Sequence, residues 1–315
     1  MSFFPEIIYI AGHTGLVEQA FLRKLQSVGN STLLLRTHVE LDLTSQVAVS
    51  EFFSAEEPDC VILAAEKVGE IHANSTYPEE FIYENLMIQS NVIHQSYLHG
   101  VKKAVYLGST CAYLKNALQP MKEDSLLTGP LEPTNEPYAV AKIAGLKLCE
   151  SYNRQYGTCY HTIMPPNLYG IHENLHPENS HVIPGMMHRI HEAKMADLPE
   201  VEIWGSELSK REFIFVDDLV EACLFLLDYD EDYSPVNIGS QEEVSIRELA
   251  IMMNEVVGYK GRLAFDTSKP DGMPLKKVDT SKMDALGWKA RTPLREGLQK
   301  VYCWFLTNNI SKNNK

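Results

Sequence analysis

Tyr138 and Lys142 lie four residues apart in the stretch EPYAVAKIAG, just after Pro137. On a helix, this spacing places both side chains on one face. The positive charge of Lys142 could lower the pKa of the Tyr138 phenol and make it a better proton relay. The Y-x-x-x-K spacing is common, however, and taken alone it favours an ordinary surface pair on a helix.

A second group of reactive side chains, Ser109, Thr110 and Cys111, follows the apolar stretch VYLG. If this stretch is a strand of a doubly wound sheet, its carboxyl end faces the ligand crevice. The Ser109 hydroxyl could then share a substrate carbonyl oxygen with Tyr138. The alternative is a strand end built of small residues, with Cys111 as an inert buried thiol, the commoner role of a single cysteine.

A glycine turn, AGHTGLVEQA, follows the first apolar stretch and precedes a helical pattern. Gly12 and Gly15 would let backbone N–H groups approach a pyrophosphate at the N-terminus of that helix. The spacing is G-x-x-G, and Glu18 stands where a third glycine is expected. A carboxylate beside a pyrophosphate is unfavourable unless it points away, so Glu18 counts against the motif.

The end of the second predicted strand, LLLRTHVELDL, carries Arg36 and His38 and no acid at its tip. An acid there would hold the ribose hydroxyls of NAD, whereas a basic residue suits the 2′-phosphate of NADP. The sequence therefore favours NADP, although Arg36 could equally be a solvated loop residue.

Three histidines, His172, His176 and His181, lie close together in a proline-containing stretch. Their spacings of four and five residues, without a nearby cysteine, are not typical of a metal site, and we expect none. His181 could act singly as an acid, whereas the other two are expected to be solvated loop residues.

The elements that would position these residues are read from the alternation of short apolar stretches with helical ones. EIIYIAG, STLLLR, PDCVILAA, VKKAVYLGS and YHTIMPPN are predicted strands separated by predicted helices. This pattern indicates a doubly wound, Rossmann-type α/β fold with a parallel sheet. We expect residues 1–167, with about 213–238, to form the nucleotide-binding domain, and 168–212 with 239–315 to form a smaller, discontinuous α+β substrate domain.

Composition excludes several classes of protein. The chain has 315 residues and a formal net charge of −14, which argues against an electrostatic nucleic-acid binder. The six cysteines show no C-x-x-C spacing and are expected to be reduced thiols. No stretch has the length of a membrane span or the pattern of a signal peptide, so we expect a cytoplasmic protein without membrane association.

Several long stretches together resemble the GDP-L-fucose synthases, which are NADPH-dependent epimerase/reductases of the extended short-chain dehydrogenase/reductase type. The resemblance runs nearly end to end and rests on AGHTGLV, LAAEKVG, LGSTCAY, LEPTNEPYAVAKIAGLKLCESYNRQYG, PPNLYGIHENLHPENSHVIP, WGSELSKREFIFVDD and SKPDGMPLKKVD. It implies that Tyr138 and Lys142 are a catalytic pair and that the substrate is a GDP-sugar, GDP-4-keto-6-deoxy-D-mannose. It also implies a homodimer, formed by the helices near 77–99 and 137–156.

The resemblance assigns roles to individual residues. Tyr138 would donate the proton to the C4 oxygen, Lys142 would hold the nicotinamide ribose, and Ser109 would bind the keto oxygen. Cys111 matches the base and His181 the acid of the epimerisation. The expected NADP contacts are Gly12, His13, Thr14, Gly15, Leu16, Val17, Arg36, His38, Leu41, Asp42, Leu43, Leu107, Gly108, Thr110, Pro165, Asn167 and Leu168. The expected GDP-sugar contacts are Asn167, Val182, Arg189, Trp204, Arg211, Asp271 and Lys276.

Departures from the family pattern concentrate at the expected cofactor site. Thr14 and His38 stand where arginines are usual, and Leu275 replaces another arginine beside Lys276. Carboxylates replace small residues at Glu18, Glu66 and Glu70. These exchanges leave open whether the protein prefers NADPH or NADH as its cofactor. The alternatives are a synthase for a related GDP-deoxysugar of the colitose type, or a degenerate relative that binds a nucleotide sugar without catalysis.

Overall fold

The computed structural model describes residues 5–12, 15–29, 31–69, 74, 76–173, 181–205, 207–232, 234–266 and 275–313, with only the backbone of 309–313. These described residues contain twelve strands and nine α-helices, which are numbered in chain order. Among the described helices, none combines the length and the apolar character needed to cross a membrane.

The larger sheet has six parallel strands. Its strands are β1 (Ile7–Ala11), β2 (Thr32–Leu34), β3 (Cys60–Leu63), β4 (Lys103–Leu107), β5 (Cys159–Met164) and β9 (Val236–Asn237). Their spatial order is β2-β1-β3-β4-β5-β9. The order reverses direction between β1 and β3, and such a switch point opens a ligand crevice at the carboxyl ends of the strands. The predicted doubly wound α/β fold is confirmed.

Helices cover both faces of this sheet because successive strand residues point to opposite sides. Ile8 and Ile10 pack under α1 (Leu16–Val28) and α6 (Val216–Leu227). Tyr9 faces the opposite layer, which contains α2 (Gln46–Glu56), α3 (Pro78–Leu98) and α4 (Glu136–Tyr156). Gly29 and Gly157 cap the C-terminal ends of α1 and α4 in the left-handed conformation, which glycine adopts readily.

A smaller sheet centres on β8 (Lys210–Phe215). Its neighbours are β6 (Asn167–Tyr169) and β12 (Leu275–Lys276), both parallel to β8, and β10 (Glu243–Ser245), which is antiparallel. A separate parallel pair is formed by β7 (Glu200–Trp204) and β11 (Arg262–Asp266). The helices α5 (Val182–Met195), α7 (Ile246–Val257) and α9 (Leu294–Asn313) share a third apolar core with these strands, and the short α8 is Ser281–Leu286.

The segment of about 213–238 is expected to belong to the nucleotide-binding domain. Its helix, α6, does pack on the six-stranded sheet, but its strand, β8, joins the smaller sheet, and β9 pairs with β5 instead. The sequence SIRE forms a capping box, since Ser245 and Glu248 bond reciprocally at the start of α7. The division into two domains stays a prediction.

A buried carboxylate fixes β12 against the rest of the protein. Glu212 is 0% exposed, and its two oxygens accept hydrogen bonds from the backbone N–H of Gln241 (2.8 Å) and Val278 (3.0 Å). Met121 also donates to the carbonyl of Lys277 at 2.8 Å. Because Met121 belongs to the loop after β4, Lys276 is held beside the carboxyl end of the main sheet.

Candidate active site

The pair Tyr138 and Lys142 lies on the first two turns of α4, and both side chains are buried. Lys142 Nζ is 5.7 Å from the centre of the Tyr138 ring, so the predicted common face is confirmed. Lys142 Nζ also donates to the carbonyl of Leu107, the last residue of β4, at 2.7 Å. This bond fixes the pair over the carboxyl end of the sheet, where a ligand is expected.

Glu66, in the loop after β3, joins the two side chains. Its Oε2 accepts a 2.9 Å hydrogen bond from the Tyr138 hydroxyl and lies 2.5 Å from Lys142 Nζ. Burial, followed by the negative charge of Glu66, raises the pKa of Tyr138 well above its usual value. The expectation that Lys142 lowers this pKa is therefore wrong in this structure, because the Glu66 carboxylate accompanies the ammonium group.

Cys111 lies in a single turn of 3-10 helix, Thr110–Ala112, that begins directly after Ser109. The Ser109 oxygen accepts a 3.1 Å hydrogen bond from the Cys111 backbone N–H. The Cys111 sulfur is half-buried and lies 3.4 Å from Lys276 Nζ. Burial alone would raise the pKa of this thiol, but the positive charge of Lys276 and hydrogen bonds with Ser109 and Lys276 outweigh it, so the pKa is lowered.

These two groups belong to one site. The charge of Cys111 contributes to the raised pKa of Tyr138, and the charge of Glu66 acts on Cys111, so the three side chains are electrostatic neighbours. The site therefore combines a thiol primed to ionise with a phenol held protonated. Such a pair can remove a proton from carbon with one group and donate a proton to oxygen with the other.

The glycine turn lies at the switch point between β1 and β3. Gly12 has a φ of +94°, and Gly15 precedes the first turn of α1. Glu18 is 7% exposed and its carboxyl lies over this turn: a Cβ added at Gly12 would come within 2.6 Å of Glu18 Oε1 and 2.8 Å of the Cα of Ala65. The Glu18 carboxyl therefore lies against the space that a side chain at Gly12 would occupy.

The pKa of Glu18 is raised to about 8. Burial is the main cause, and the negative charge of Glu66 adds to it, whereas a hydrogen bond from the residue's own backbone N–H and the charge of Lys142 act in the opposite direction. At neutral pH the carboxyl is therefore mostly protonated. His13 and Thr14 lie outside the described residues.

The site fits a dinucleotide in its backbone shape. The two glycines Gly12 and Gly15, the N-terminus of α1 and the Tyr138–Lys142 pair follow one another along the carboxyl edge of the sheet. This sequence of features accommodates a pyrophosphate at the helix and a ribose near the lysine. Glu18 and Glu66 add carboxyl groups at both points, and Glu18 relieves the conflict by being largely neutral at pH 7.

Two of the residues expected at the cofactor, Arg36 and Asp42, are engaged within the protein. Arg36 forms an ion pair with Glu56 of α2, and its guanidinium lies 5.3 Å from the centre of the Phe52 ring. His38 is exposed. The Asp42 carboxylate accepts hydrogen bonds from the Thr44 N–H and hydroxyl at 2.9 and 2.7 Å. Contacts of these residues with a cofactor stay predictions.

Gly108 and Thr110, also expected near the cofactor, lie where the ends of β4 and β5 meet. Gly108 N–H donates to Ile163 O at 2.8 Å, and Thr110 N–H donates to Pro165 O at 3.3 Å, which joins the ends of β4 and β5. Of the apolar side chains expected there, Leu41, Leu43 and Leu107 are buried in the core. The side chains of Leu16, Val17 and Leu168 are partly buried and pack against it.

Several residues expected at the GDP-sugar lie on elements outside the six-stranded sheet. Lys276 is the register partner of Arg211 in the parallel pair β12–β8, so two cationic residues are adjacent, and Lys276 contacts Cys111. The Arg189 guanidinium lies 4.6 Å from the centre of the Trp204 ring. The Asn167 amide donates to the carbonyl of Glu212 at 3.0 Å.

The structure leaves part of the predicted set untested. His181 and Val182, at the start of α5, are exposed. The role of His181 as an acid stays a prediction. His172 packs against Trp304, with ring centres 5.2 Å apart. His176, Glu70 and Asp271 lie outside the described residues, within which no three potential metal ligands are grouped.

Sequence reasoning missed two functional contacts. The sequence shows that Glu66 replaces a small residue of the family pattern, but it does not show that Glu66 contacts both Tyr138 and Lys142. Lys276 was assigned to the sugar diphosphate, but not to the Cys111 thiol. Glu212 directly precedes the apolar residues FIF. An acid in such a position was the sequence signal for its structural role.

Comparison with known proteins agrees with this geometry. Residues 8–239 match the NAD dependent epimerase/dehydratase family. The chain belongs to this family. Within the family, the chain is 56% identical to GDP-L-fucose synthase 1 of Arabidopsis thaliana over 96% of its length and 93% of the relative's. It is 50% identical to GDP-L-fucose synthase of Escherichia coli K12, over 96% and 97% of the two chains.

The fold is similar to that of solved structures in the same family. A GDP-L-fucose synthetase from Naegleria fowleri bound to NADP has a TM-score of 0.89 and 27% identity, with 97% of this chain and 94% of that chain covered. The resemblance inferred from the sequence motifs is thus confirmed across nearly the whole chain.

Proposed function

We propose that the protein converts GDP-4-keto-6-deoxy-D-mannose to GDP-L-fucose with NADPH, by epimerisation at C3 and C5 followed by reduction at C4. The observation that carries this proposal is the 3.4 Å contact between Cys111 Sγ and Lys276 Nζ, close to Tyr138. A simple reductase needs only the tyrosine and lysine. A thiol with a lowered pKa in the same site supplies the additional base that epimerisation requires.

Epimerisation begins at the carbons on either side of the C4 ketone. The ketone acidifies their C–H bonds, because the charge released moves onto the carbonyl oxygen as an enolate. Cys111, as a thiolate, removes the proton from one face, and His181 returns a proton to the other face. Ser109 donates a hydrogen bond to the oxygen on which the charge develops. We assign Cys111 as the base because the contact with Lys276 accompanies a lowered pKa, whereas burial raises the pKa of the four buried thiols, Cys60, Cys149, Cys159 and Cys223.

Reduction at C4 requires a proton for the oxygen as the carbon is reduced. NADPH, when bound, supplies the hydride. Tyr138 gives its proton to the C4 oxygen, and its raised pKa keeps the phenol protonated until that moment. Lys142 holds the nicotinamide ribose. For this role its ammonium group must leave Glu66 and bind the ribose instead.

Binding of the nucleotide sugar is assigned to the cationic residues of the smaller domain. Lys276 and Arg211, adjacent on β12 and β8, provide charge-assisted donors for a diphosphate. The stacked pair of Arg189 and Trp204, with Val182, Asn167 and Asp271, completes the proposed GDP-sugar site. This arrangement would place the sugar between the diphosphate site and the sheet edge.

A second candidate function is binding of a nucleotide sugar without catalysis. It is favoured by Glu18 over the glycine turn and by Glu66 between Tyr138 and Lys142, since both carboxyls lie where the cofactor would bind. The full set of Ser109, Cys111, Tyr138, Lys142 and His181 argues for the enzyme.

Absorbance at 340 nm distinguishes the two functions. Purified protein is mixed with NADPH and GDP-4-keto-6-deoxy-D-mannose, with Tyr138→Phe as the inactive control. Oxidation of NADPH by the wild type, with GDP-L-fucose as the product by NMR, supports the synthase. Tight binding of the nucleotide sugar without oxidation of NADPH supports the non-catalytic function.

We further propose a cytoplasmic homodimer, with α3 and α4 at the contact between subunits. These helices carry exposed large apolar side chains, among them Tyr83 (54%), Leu98 (56%) and Tyr156 (46%). Multi-angle light scattering of the purified protein tests the dimer: twice the chain mass is expected, and the monomer mass would contradict it.

A further inference from the structure

Glu18 is the carboxyl group that lies deepest in the proposed cofactor site. It is buried, it belongs to the first turn of α1, and a Cβ at Gly12 or at Gly15 would collide with its carboxyl oxygens. We propose that Glu18 remains in the glycine turn when a dinucleotide binds and contacts the pyrophosphate as a neutral carboxylic acid, so that cofactor binding takes up a proton. This inference rests on the proposed NADPH site and adds a cofactor-binding residue to it.

The charges around Glu18 come from two other elements. Glu66, in the loop after β3, raises its pKa, and Lys142, on α4, lowers it. Glu66 and Lys142 are themselves paired at 2.5 Å, so their effects on Glu18 partly cancel. Among the described residues, no further charged side chain acts on Glu18 to a comparable degree. Burial therefore remains the main reason that the neutral form is favoured.

A protonated carboxyl is chemically compatible with a pyrophosphate, whereas an ionised one is not. In the neutral form, one oxygen carries a hydrogen that can be donated to a phosphate oxygen, and the other can still accept from the backbone. The ionised form offers acceptors only and would repel the phosphates. A bound pyrophosphate adds negative charge close by, and so favours the protonated form of Glu18 further.

The sign of the pH dependence follows from linkage. If the bound state holds the proton more tightly than the free state, binding takes up protons and weakens as pH rises through the pKa of the free protein. With that pKa at about 8, the affinity for NADPH should fall about tenfold between pH 8 and 9.5. A carboxyl that instead left the turn for solvent on binding would ionise and release a proton at neutral pH.

The experiment is titration calorimetry of the full chain with NADPH, in pairs of buffers with different ionisation enthalpies, at pH 7 and pH 8.5. The number of protons exchanged is obtained for the wild type, Glu18→Gln and Glu51→Gln. The amide introduced by Glu18→Gln would mimic the neutral carboxyl, and Glu51 is an exposed residue of α2 that provides the matched control. A Glu66→Gln variant separates the contribution of the neighbouring carboxylate.

Net proton uptake at pH 8.5 in the wild type and in Glu51→Gln, lost in Glu18→Gln with tight binding retained, supports the proposal. Proton release at pH 7 that is lost in Glu18→Gln overturns it, as does NADPH binding by the wild type without proton exchange at pH 8.5. Uptake that persists in Glu18→Gln and vanishes in Glu66→Gln also overturns it. None of these results contradicts the proposed synthase, which is tested separately by turnover. If neither the wild type nor Glu18→Gln binds NADPH, both proposals fall.

Discussion

The Tyr138 hydroxyl donates a 2.9 Å hydrogen bond to the same Glu66 oxygen that lies 2.5 Å from Lys142 Nζ. One carboxylate thus engages both members of the proposed reductase pair. It keeps the phenol protonated, which suits proton donation, but it also occupies the ammonium group that should hold the nicotinamide ribose.

Glu66→Ala should bind NADPH about tenfold more tightly than the wild type, because Lys142 no longer has to give up a charge-assisted hydrogen bond worth ~1.5 kcal/mol. Quenching of intrinsic protein fluorescence by NADPH measures the dissociation constant. Glu51→Ala, on the exposed face of α2, is the control and should leave affinity unchanged. Weaker binding by Glu66→Ala would show that Glu66 supports the cofactor rather than competing with it.

Lys276→Met should raise the pKa of Cys111, because the cation beside the thiol is removed. A shift of one pKa unit reduces the thiolate fraction at pH 7 about tenfold. The rate of alkylation by iodoacetamide, followed for the Cys111 peptide by mass spectrometry, reports this without substrate. Cys303, which is exposed on α9, is the internal control and should react at the same rate in both proteins. Equal Cys111 rates across the two proteins would refute the role of Lys276.

Cys111→Ser should lose epimerisation while retaining some reduction at C4, since the serine hydroxyl is a far weaker acid than the thiol and Tyr138 is unchanged. The product formed from GDP-4-keto-6-deoxy-D-mannose would then keep the D configuration at C5. NMR of the sugar product identifies the configuration. Formation of the L-configured product at the wild-type rate would show that another residue is the base.

Tyr138→Phe should reduce the rate of NADPH oxidation by about 10²–10⁴-fold, the usual contribution of a positioned acid. Exchange of the C3 and C5 protons with solvent should continue, because the Cys111–Lys276 contact does not involve the phenol. Deuterium incorporation into recovered substrate measures this. If exchange stopped together with reduction, the two half-reactions would not be separable as proposed.

Gly145→Ala should destabilise the protein by about 1–3 kcal/mol, because overpacking forces buried neighbours to move. Gly145 lies in α4, where an added Cβ would collide with the Tyr106 ring and approach Gln89 Oε1 within 2.6 Å. Urea denaturation followed by circular dichroism gives the free energy of unfolding. Gly129→Ala is the matched control, since its Cβ would meet only Leu114 at ordinary contact distance, 3.5 Å. A Gly145→Ala variant as stable as Gly129→Ala would contradict the packing described for α4.

The sequence was sufficient for features set by local pattern. Continuous apolar strands such as CVIL in β3 are buried on both sides, so they predict a parallel sheet between helices. The start of α4 at Glu136, beside Pro137, and the capping box of Ser245 with Glu248 follow equally from local rules. The common face of Tyr138 and Lys142 could be predicted because four residues complete about one helical turn.

Contacts between distant segments could not be predicted in this way. Glu66 and Tyr138 are 72 residues apart, and Cys111 and Lys276 are 165 apart. Their distances depend on how β3, β4 and β12 are arranged in three dimensions. The predicted effect of Lys142 on the Tyr138 pKa failed for the same reason: the charge that dominates beside the phenol comes from the loop after β3. The placement of β8 in the smaller sheet also depends on pairing with β6, β10 and β12.

Turnover in deuterium oxide with NADPH and GDP-4-keto-6-deoxy-D-mannose tests the two-step reaction most directly, because one NMR spectrum reports on both half-reactions. The account predicts GDP-L-fucose that carries solvent deuterium at C3 and C5 and protium at C4. A reduced sugar with protium at C3 and C5, or recovery of the ketosugar with all of the NADPH unoxidised, would contradict it.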